Sequence, residues 1–214
     1  LPQRPCLSHR TSMGYKLIAL DVDGTIRTLG QGPSDRTRDA IARAVGEGAV
    51  VTLATGRMFS SARAASAELN ISAPIISFQG AQVGDPVSGR VLWHRPLTEA
   101  MARAALDALD AWKGEIVAYV GDHAHVTELT PWAEGYSQRN PGLVRIVEDL
   151  AELAQRRPTR LLAVGEEGDV SRLDRRLKAE FDSRLHVTRS LPHFCEILHP
   201  ESGKHRALAW LADS

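Results

Sequence analysis

Apolar and polar positions alternate in blocks over the first part of the chain. Residues 15–20, "YKLIAL", read as a buried strand. Ser34 is suited to cap a helix over about 35–47, with Ile41 and Val45 on one face and Gly46 and Gly48 near its end. "AVVTLA" (49–54) predicts a second buried strand. A helix near 58–69 follows, ended by Asn70, and "PIISF" (74–78) predicts a third strand. Strands that are apolar throughout and alternate with helices belong to a parallel sheet covered on both faces. The pattern predicts an α/β fold with a doubly wound parallel sheet.

After about residue 84 the rhythm changes. "EIVAYV" (115–120) and "AHVTEL" (124–129), joined around Gly121-Asp122, predict an antiparallel hairpin. A helix near 148–156, a strand at 159–164, a helix at 169–182 and a strand at 185–189 follow. That mixture predicts a separate α+β module. "HFCEIL" (193–198) and a helix from about 203 are expected to return to the first unit. The expected division is therefore a first core part at 13–83, an inserted module at 84–190 and a return segment at 191–214.

Composition narrows the classes of function. The formal net charge is zero, with 26 basic and 26 acidic residues, which argues against a nucleic-acid partner. No apolar run is long enough to span a membrane. Cys6 and Cys195 lie far apart, which is neither a disulfide framework nor a zinc spacing. A reducing compartment, the cytoplasm, is the expected location. Residues 1–12, "LPQRPCLSHRTS", lack the apolar centre of a secretion signal. They are expected to be a disordered leader or a translated stretch ahead of Met13.

The chemistry gathers at strand ends. In an open parallel sheet, ligands bind outside the carboxyl ends of the strands. Asp21 and Asp23 follow the first strand, and Thr55 follows the second. A carboxylate can attack phosphorus and form an aspartyl-phosphate. A second carboxylate can give a proton to the leaving oxygen and later take one from water. Carboxylates with phosphate oxygens suit Mg²⁺. Gly24 permits a sharp turn after the pair. Thr25, Thr55 and the Gly56 N–H are suitable donors to phosphate. A transferring phosphoryl group also needs a cation, and Lys204, between a strand and a helix, is a candidate to reach the same rim. Arg57 reads equally as a phosphate contact or a first-turn surface arginine. His123 and His125 share a strand face and are expected to be solvated. Trp93, Trp112 and Trp132 are expected to pack the inserted module or its hinge, and Cys195 to be a small core residue.

"LDVDGT", "TLATGR" and Lys204 together resemble motifs I, II and III of the haloacid dehalogenase (HAD) superfamily. The resemblance runs from about Tyr15 to the end of the chain. "IISFQGAQVGDPVSGRVLWHRPL" and "CEILHPESGKHRALAWL" are similar to stretches of its Cof-type phosphatase branch, where Asn-Gly-Ala is usual and Gln79-Gly80-Ala81 stands here. The resemblance implies a Rossmann-like core with an inserted C2-type cap domain. It implies Asp21 as nucleophile and Mg²⁺ ligand. Asp23 would be the general acid/base and a Mg²⁺ ligand through its carbonyl. Thr55 and Gly56 would hold phosphoryl oxygens, and Lys204 would neutralise Asp21 and the phosphate. The implied activity is Mg²⁺-dependent hydrolysis of a small phosphorylated metabolite: a sugar phosphate, a nucleotide or a cofactor phosphate. The long interval between Thr55 and Lys204 has room for a cap of roughly a hundred residues, an ordinary domain size. The family's further acidic segment, Gly-Asp-x-x-x-Asp, is expected one strand after Lys204. The chain ends at Ser214 before it, so a fragment is expected. Two other readings share these residues. One is a non-catalytic HAD-like binding or regulatory protein, motivated by the missing acidic segment. The other is a phosphoryl transferase, which product analysis with water and sugar acceptors separates from a hydrolase.

Overall fold

The computed structural model describes residues 14–28 and 31–214. The expected leader at 1–12 lies outside the described residues. The first unit alternates β1 (Leu17–Leu20), α1 (Asp35–Gly46), β2 (Val50–Leu53), α2 (Phe59–Glu68) and β3 (Ile75–Ser77). β1 and β2 are parallel, with Leu17 opposite Val50 and Leu20 opposite Leu53. A parallel bridge between Ala54 and Ile76 ties β2 to β3. Ser34 caps α1 as its position predicts, its hydroxyl accepting from Thr37 N at 3.2 Å. Among the described residues β1 has β2 as its one partner strand.

Two short strands extend this unit beyond the expected boundary. β4 (Gln82–Gly84) and β5 (Val91–His94) fold back on β3 as an antiparallel ribbon. Residues 84–94, assigned to the inserted module, are thus partly hydrogen-bonded to the first unit. The ribbon was hard to read because β4 has three residues and a register shift lies at Val83–Gly84.

The second unit contains α3 (Glu99–Leu109), β6 (Glu115–Val120), β7 (His123–Val126), α4 (Pro131–Arg139) and β8 (Val144–Ile146). It continues with β9 (Arg160–Val164), α5 (Glu167–Phe181), β10 (His186–Thr188) and β11 (Phe194–Leu198). Its six strands run in the order β10-β11-β9-β6-β7-β8. The predicted hairpin is present, with Val120 opposite His123 across Gly121-Asp122. The predicted helix near 148–156 is a 3-10 segment over Leu150–Arg156, ended by Arg157 in the left-handed region and Pro158.

β11 differs from its expected place. It pairs antiparallel with β9 and β10, so it belongs to the six-stranded sheet and not to the return segment. The return proper is α6 (Lys204–Ala212) with the turn before it. One face of this sheet packs on α3 and α5 through Leu161, Ala163, Cys195 and Ile197. The other face carries Val117, Tyr119, Leu162 and Leu198 into one cluster with Met58 and Phe78 of the first unit. This face therefore lies against the rim of the parallel strands. No helix among the described residues is long and apolar enough to cross a membrane.

Candidate active site

Strand pairing delivers the polar groups to one rim. The β1–β2 register ends at Leu20 and Leu53, so Asp21 and Thr55 leave the sheet at the same end. Ala54 N donates to Leu20 O at 2.8 Å and Thr55 N to Ile76 O at 2.9 Å, which fixes three strand ends together. Beyond β1 the chain wraps around one carbonyl. Val22 O accepts from Ile26 N at 3.0 Å and Arg27 N at 2.9 Å, and the Val22 side chain is buried. Gly24 makes this turn at a φ of +78°, a region that favours glycine. With Val22 turned inward, Asp21 is half-buried and Asp23 is exposed.

Lys204, the first residue of α6, reaches Asp21 from 183 residues away, and its Nζ donates to Asp21 Oδ1 at 2.9 Å. Its placement depends on a close backbone approach. Gly80, at φ +88°, lies against the Gly203–Lys204 peptide. A Cβ on Gly80 would fall 2.2 Å from the Gly203 carbonyl carbon and 2.5 Å from Lys204 N. Backbone cannot yield as a side-chain tip can. Gly80→Ala is therefore expected to push Lys204 off Asp21 and lower kcat/KM by about 10²-fold, the scale of a 1 Å misplacement. Steady-state kinetics beside a thermal melt measures this; unchanged kinetics would show that Lys204 tolerates the displacement.

Arg57 has a partner that the sequence did not reveal. Its Nε and Nη2 donate to Asp23 Oδ2 and Oδ1 at 2.8 and 2.6 Å, a two-pronged pairing. The hydrogen bonds from Arg57 hold the Asp23 carboxyl below its ordinary range. The Arg57 backbone N–H donates to Thr55 Oγ1 at 3.2 Å. Thr55 is buried and Gly56 half-buried.

The second unit seats on this loop. Asp122 Oδ1, in the β6–β7 turn, accepts from Ser60 N at 3.1 Å and so caps the start of α2. Tyr136 Oη donates to Met58 Sδ at 3.0 Å. Arg160 of β9 and Glu196 of β11 form a buried ion pair at 2.6 Å. Burial works against the guanidinium's charge, but the Glu196 carboxylate beside it raises its pKa above the ordinary value. Arg160 also donates to Gly56 O at 2.8 Å, and Gln79 Nε2 donates to Glu196 Oε1 at 2.9 Å. Sequence reasoning missed both charged residues. The available signal was a single charge inside each of two otherwise apolar strands, a placement that is rare unless the charge is paired.

Other candidates settle elsewhere. His125 is buried, with Nδ1 3.3 Å from Ala118 O, which corrects the expected solvated face; His123 meets Arg145. Cys195 is buried in the second unit, and burial pushes its thiol up to about 12. Trp112 donates to Val164 O, and Trp132 stacks on Tyr136.

The donor set suits a hard cation. Among the described residues Asp21 Oδ2 and the Asp23 carbonyl accept no hydrogen bond. Mg²⁺ takes one or two protein oxygens and completes its shell with waters and phosphate oxygens. Asp21 and Asp23 fit that pattern. Among the described residues no group of three or more His, Cys, Asp or Glu is placed to hold a metal.

Comparisons with known proteins place the chain in a family. The family model for haloacid dehalogenase-like hydrolases matches residues 18–214. The chain belongs to that family, as a phosphatase of the Cof type. It is 26% identical over 205 residues to the HMP-PP phosphatase of Enterobacter sp. (strain 638), covering 92% of this chain and 72% of that one. It is 28% identical over 222 residues to the 5-amino-6-(5-phospho-D-ribitylamino)uracil phosphatase YwtE of Bacillus subtilis (strain 168), covering 92% and 76%. A haloacid dehalogenase-like hydrolase from Bacteroides thetaiotaomicron shares the fold, with a TM-score of 0.79 at 23% identity over 93% of this chain and 76% of that one. A HAD/COF-like hydrolase from Plasmodium vivax does so at 0.80 and 20%, over 95% and 75%.

Proposed function

We propose that this protein is a Mg²⁺-dependent phosphomonoester hydrolase that works through an aspartyl-phosphate on Asp21. The observation that carries this reading is the Lys204–Asp21 contact at 2.9 Å on the rim shared with Thr55 and Gly56. Asp21 attacks phosphorus, so an O–P bond forms to its carboxylate as the bond to the leaving oxygen breaks. Asp23 gives its proton to that oxygen. Water then attacks the phosphorus, Asp23 takes the water's proton, and phosphate departs from Asp21. Thr55 Oγ and the Gly56 N–H hold the phosphoryl oxygens, and Lys204 balances their charge. Mg²⁺, held by Asp21 and the Asp23 carbonyl, supplies further positive charge to the phosphoryl oxygens when bound. The cap that seats on the rim excludes water and reads the remainder of the substrate. The names of the two phosphatase relatives support a small phosphorylated metabolite as the substrate class. Phosphate release from p-nitrophenyl phosphate, with Mg²⁺ and with EDTA, tests the reading. No release in either condition, or release indifferent to EDTA, would count against it.

Arg57 sets when Asp23 carries its proton. Paired with Arg57, Asp23 is ionised, which suits the second step and not the first. Removing Arg57 takes away the interaction that lowers the Asp23 pKa, so the pKa rises. An acid that must be protonated then works to higher pH. Arg57→Met is expected to move the alkaline limb of kcat/KM to higher pH for an alkyl phosphate, whose leaving oxygen needs the proton. With p-nitrophenyl phosphate the limb moves little, because that group leaves as an anion. The exposed pair contributes about 1 kcal/mol or less to stability. Identical limbs in both proteins would separate Arg57 from the proton transfer.

A further inference from the structure

The loop 55–57 is tied from behind at three successive carbonyls. Thr55 O accepts from Gln79 N at 3.1 Å, and Arg57 O accepts from Phe78 N at 2.8 Å. Between them, Gly56 O accepts from Arg160 Nη1 at 2.8 Å. The first and third donors are backbone groups of the same unit. The middle donor is a charged side chain from the inserted sheet.

Arg160 is held through Nη1 and two aromatic faces, while its buried Nε has no hydrogen-bond partner among the described residues. The same Nη1 donates to Glu196 Oε2 at 2.6 Å. The guanidinium lies 4.2 Å from the Tyr119 ring centroid and 5.4 Å from that of Phe78. Glu196, 1% exposed, is held in turn by Gln79 Nε2 at 2.9 Å. Gln79 has a φ of +55°, and its carboxamide covers Gly56 so closely that a Cβ there would sit 2.4 Å from Nε2. The glycine at 56 and the left-handed backbone at 79 are both consequences of this packing.

A trans peptide is planar, so its N–H points opposite its C=O. Fixing the Thr55 carbonyl aims the Gly56 N–H, and fixing the Gly56 carbonyl aims the Arg57 N–H. Both N–H groups are thereby turned away from the packed side. Among the described residues the Gly56 N–H donates to no protein acceptor, and the Arg57 N–H reaches Thr55 Oγ1. A full positive charge on the Gly56 carbonyl also polarises the N–H of that same peptide.

We propose that Arg160 is a positioning residue of the phosphate-binding loop: with Glu196 and Gln79 it holds the Gly56–Arg57 peptide from behind, which keeps the Arg57 N–H on Thr55 Oγ1 and so orients the Thr55 hydroxyl toward the phosphoryl group. This inference rests on the phosphatase reading of the site. It makes the loop geometry depend on a buried side chain of the inserted sheet.

The test uses the whole protein and two readouts, kinetics on p-nitrophenyl phosphate and ¹H–¹⁵N NMR of the Gly56 and Arg57 amides during titration with inorganic phosphate. Arg160→Met alone leaves Glu196 buried without its cation and can fail to fold. The decisive variant is therefore Arg160→Met with Glu196→Gln, in which the buried charge is removed and Gln79 keeps a partner. A folded double variant is expected to lose about ten- to hundredfold in kcat/KM, mostly in kcat, because the Arg57 N–H that orients the Thr55 hydroxyl is loosened. Its Gly56 and Arg57 amides shift before phosphate is added and respond less when it is. Arg160→Lys keeps a cation able to bridge Glu196 and the Gly56 carbonyl, and is expected to restore most of the activity. A folded double variant with wild-type kinetics and unmoved amides would overturn the positioning role and leave the phosphatase reading standing. A wild-type protein that neither hydrolyses the ester nor shifts its Gly56 amide with phosphate would overturn both.

Discussion

Asp21→Asn is expected to lower phosphate release on the order of 10⁴-fold or more, the scale of losing a covalent nucleophile. Asparagine matches aspartate in shape and lacks its nucleophilic oxygen, so the effect falls on chemistry and not on packing. Lys204 loses its anionic partner, but that pair is partly open to solvent, with side-chain exposures of 35% for Lys204 and 44% for Asp21. Pairs of that kind contribute about 1 kcal/mol or less, so the melting temperature should hardly move. Phosphate binding should survive, because Thr55, Gly56 and Lys204 are untouched. The combination is diagnostic: a folded protein that binds phosphate and does not turn over. Residual activity within tenfold of wild type would remove Asp21 as nucleophile. In that event Asp23 is the next carboxylate to test, since it stands on the same turn.

Much of this arrangement was legible in the sequence, for identifiable reasons. The β1-α1-β2-α2-β3 alternation showed because its strands are apolar throughout and Ser34 marks the first helix start. The hairpin around Gly121-Asp122 showed because a two-residue turn punctuates two apolar runs. Asp21 and Lys204 were paired through a resemblance of motifs, and the structure brings their side chains to 2.9 Å. What stayed hidden depends on long-range pairing. β4 and β5 are too short to show a period, and β8 has three residues. α4 begins at a proline and contains Gly135, so its helical pattern is faint. Nothing local tells β11 to join β9 and not the parallel sheet. Arg57 looked like a surface residue because its partner, Asp23, is 34 positions away. Arg160 and Glu196 become neighbours only when β9 and β11 pair.

The same pair yields the second large prediction, one of stability. Glu196→Leu is expected to destabilise the protein by about 3–5 kcal/mol, the penalty for leaving a buried partner unpaired. Arg160 is only 6% exposed and cannot turn to bulk water. Its remaining contacts are the Gly56 carbonyl and two aromatic faces, which are favourable but carry no countercharge. Gln79 also loses its acceptor, which leaves a second polar group unsatisfied. Against a typical total of about 5–15 kcal/mol, such a loss moves the urea midpoint far. Removing both charges should behave differently. Arg160→Met with Glu196→Leu replaces an ion pair by apolar side chains, a change that is often neutral for stability. Urea unfolding of the three proteins decides the point. If Glu196→Leu costs under about 1 kcal/mol, the guanidinium is adequately solvated by its other partners and the pair is dispensable for folding. If the single variant collapses and the double variant recovers, desolvation of an unpaired charge is the cause. The recovered double variant then has a stable sheet without a donor on the Gly56 carbonyl, so stability and loop geometry can be varied separately.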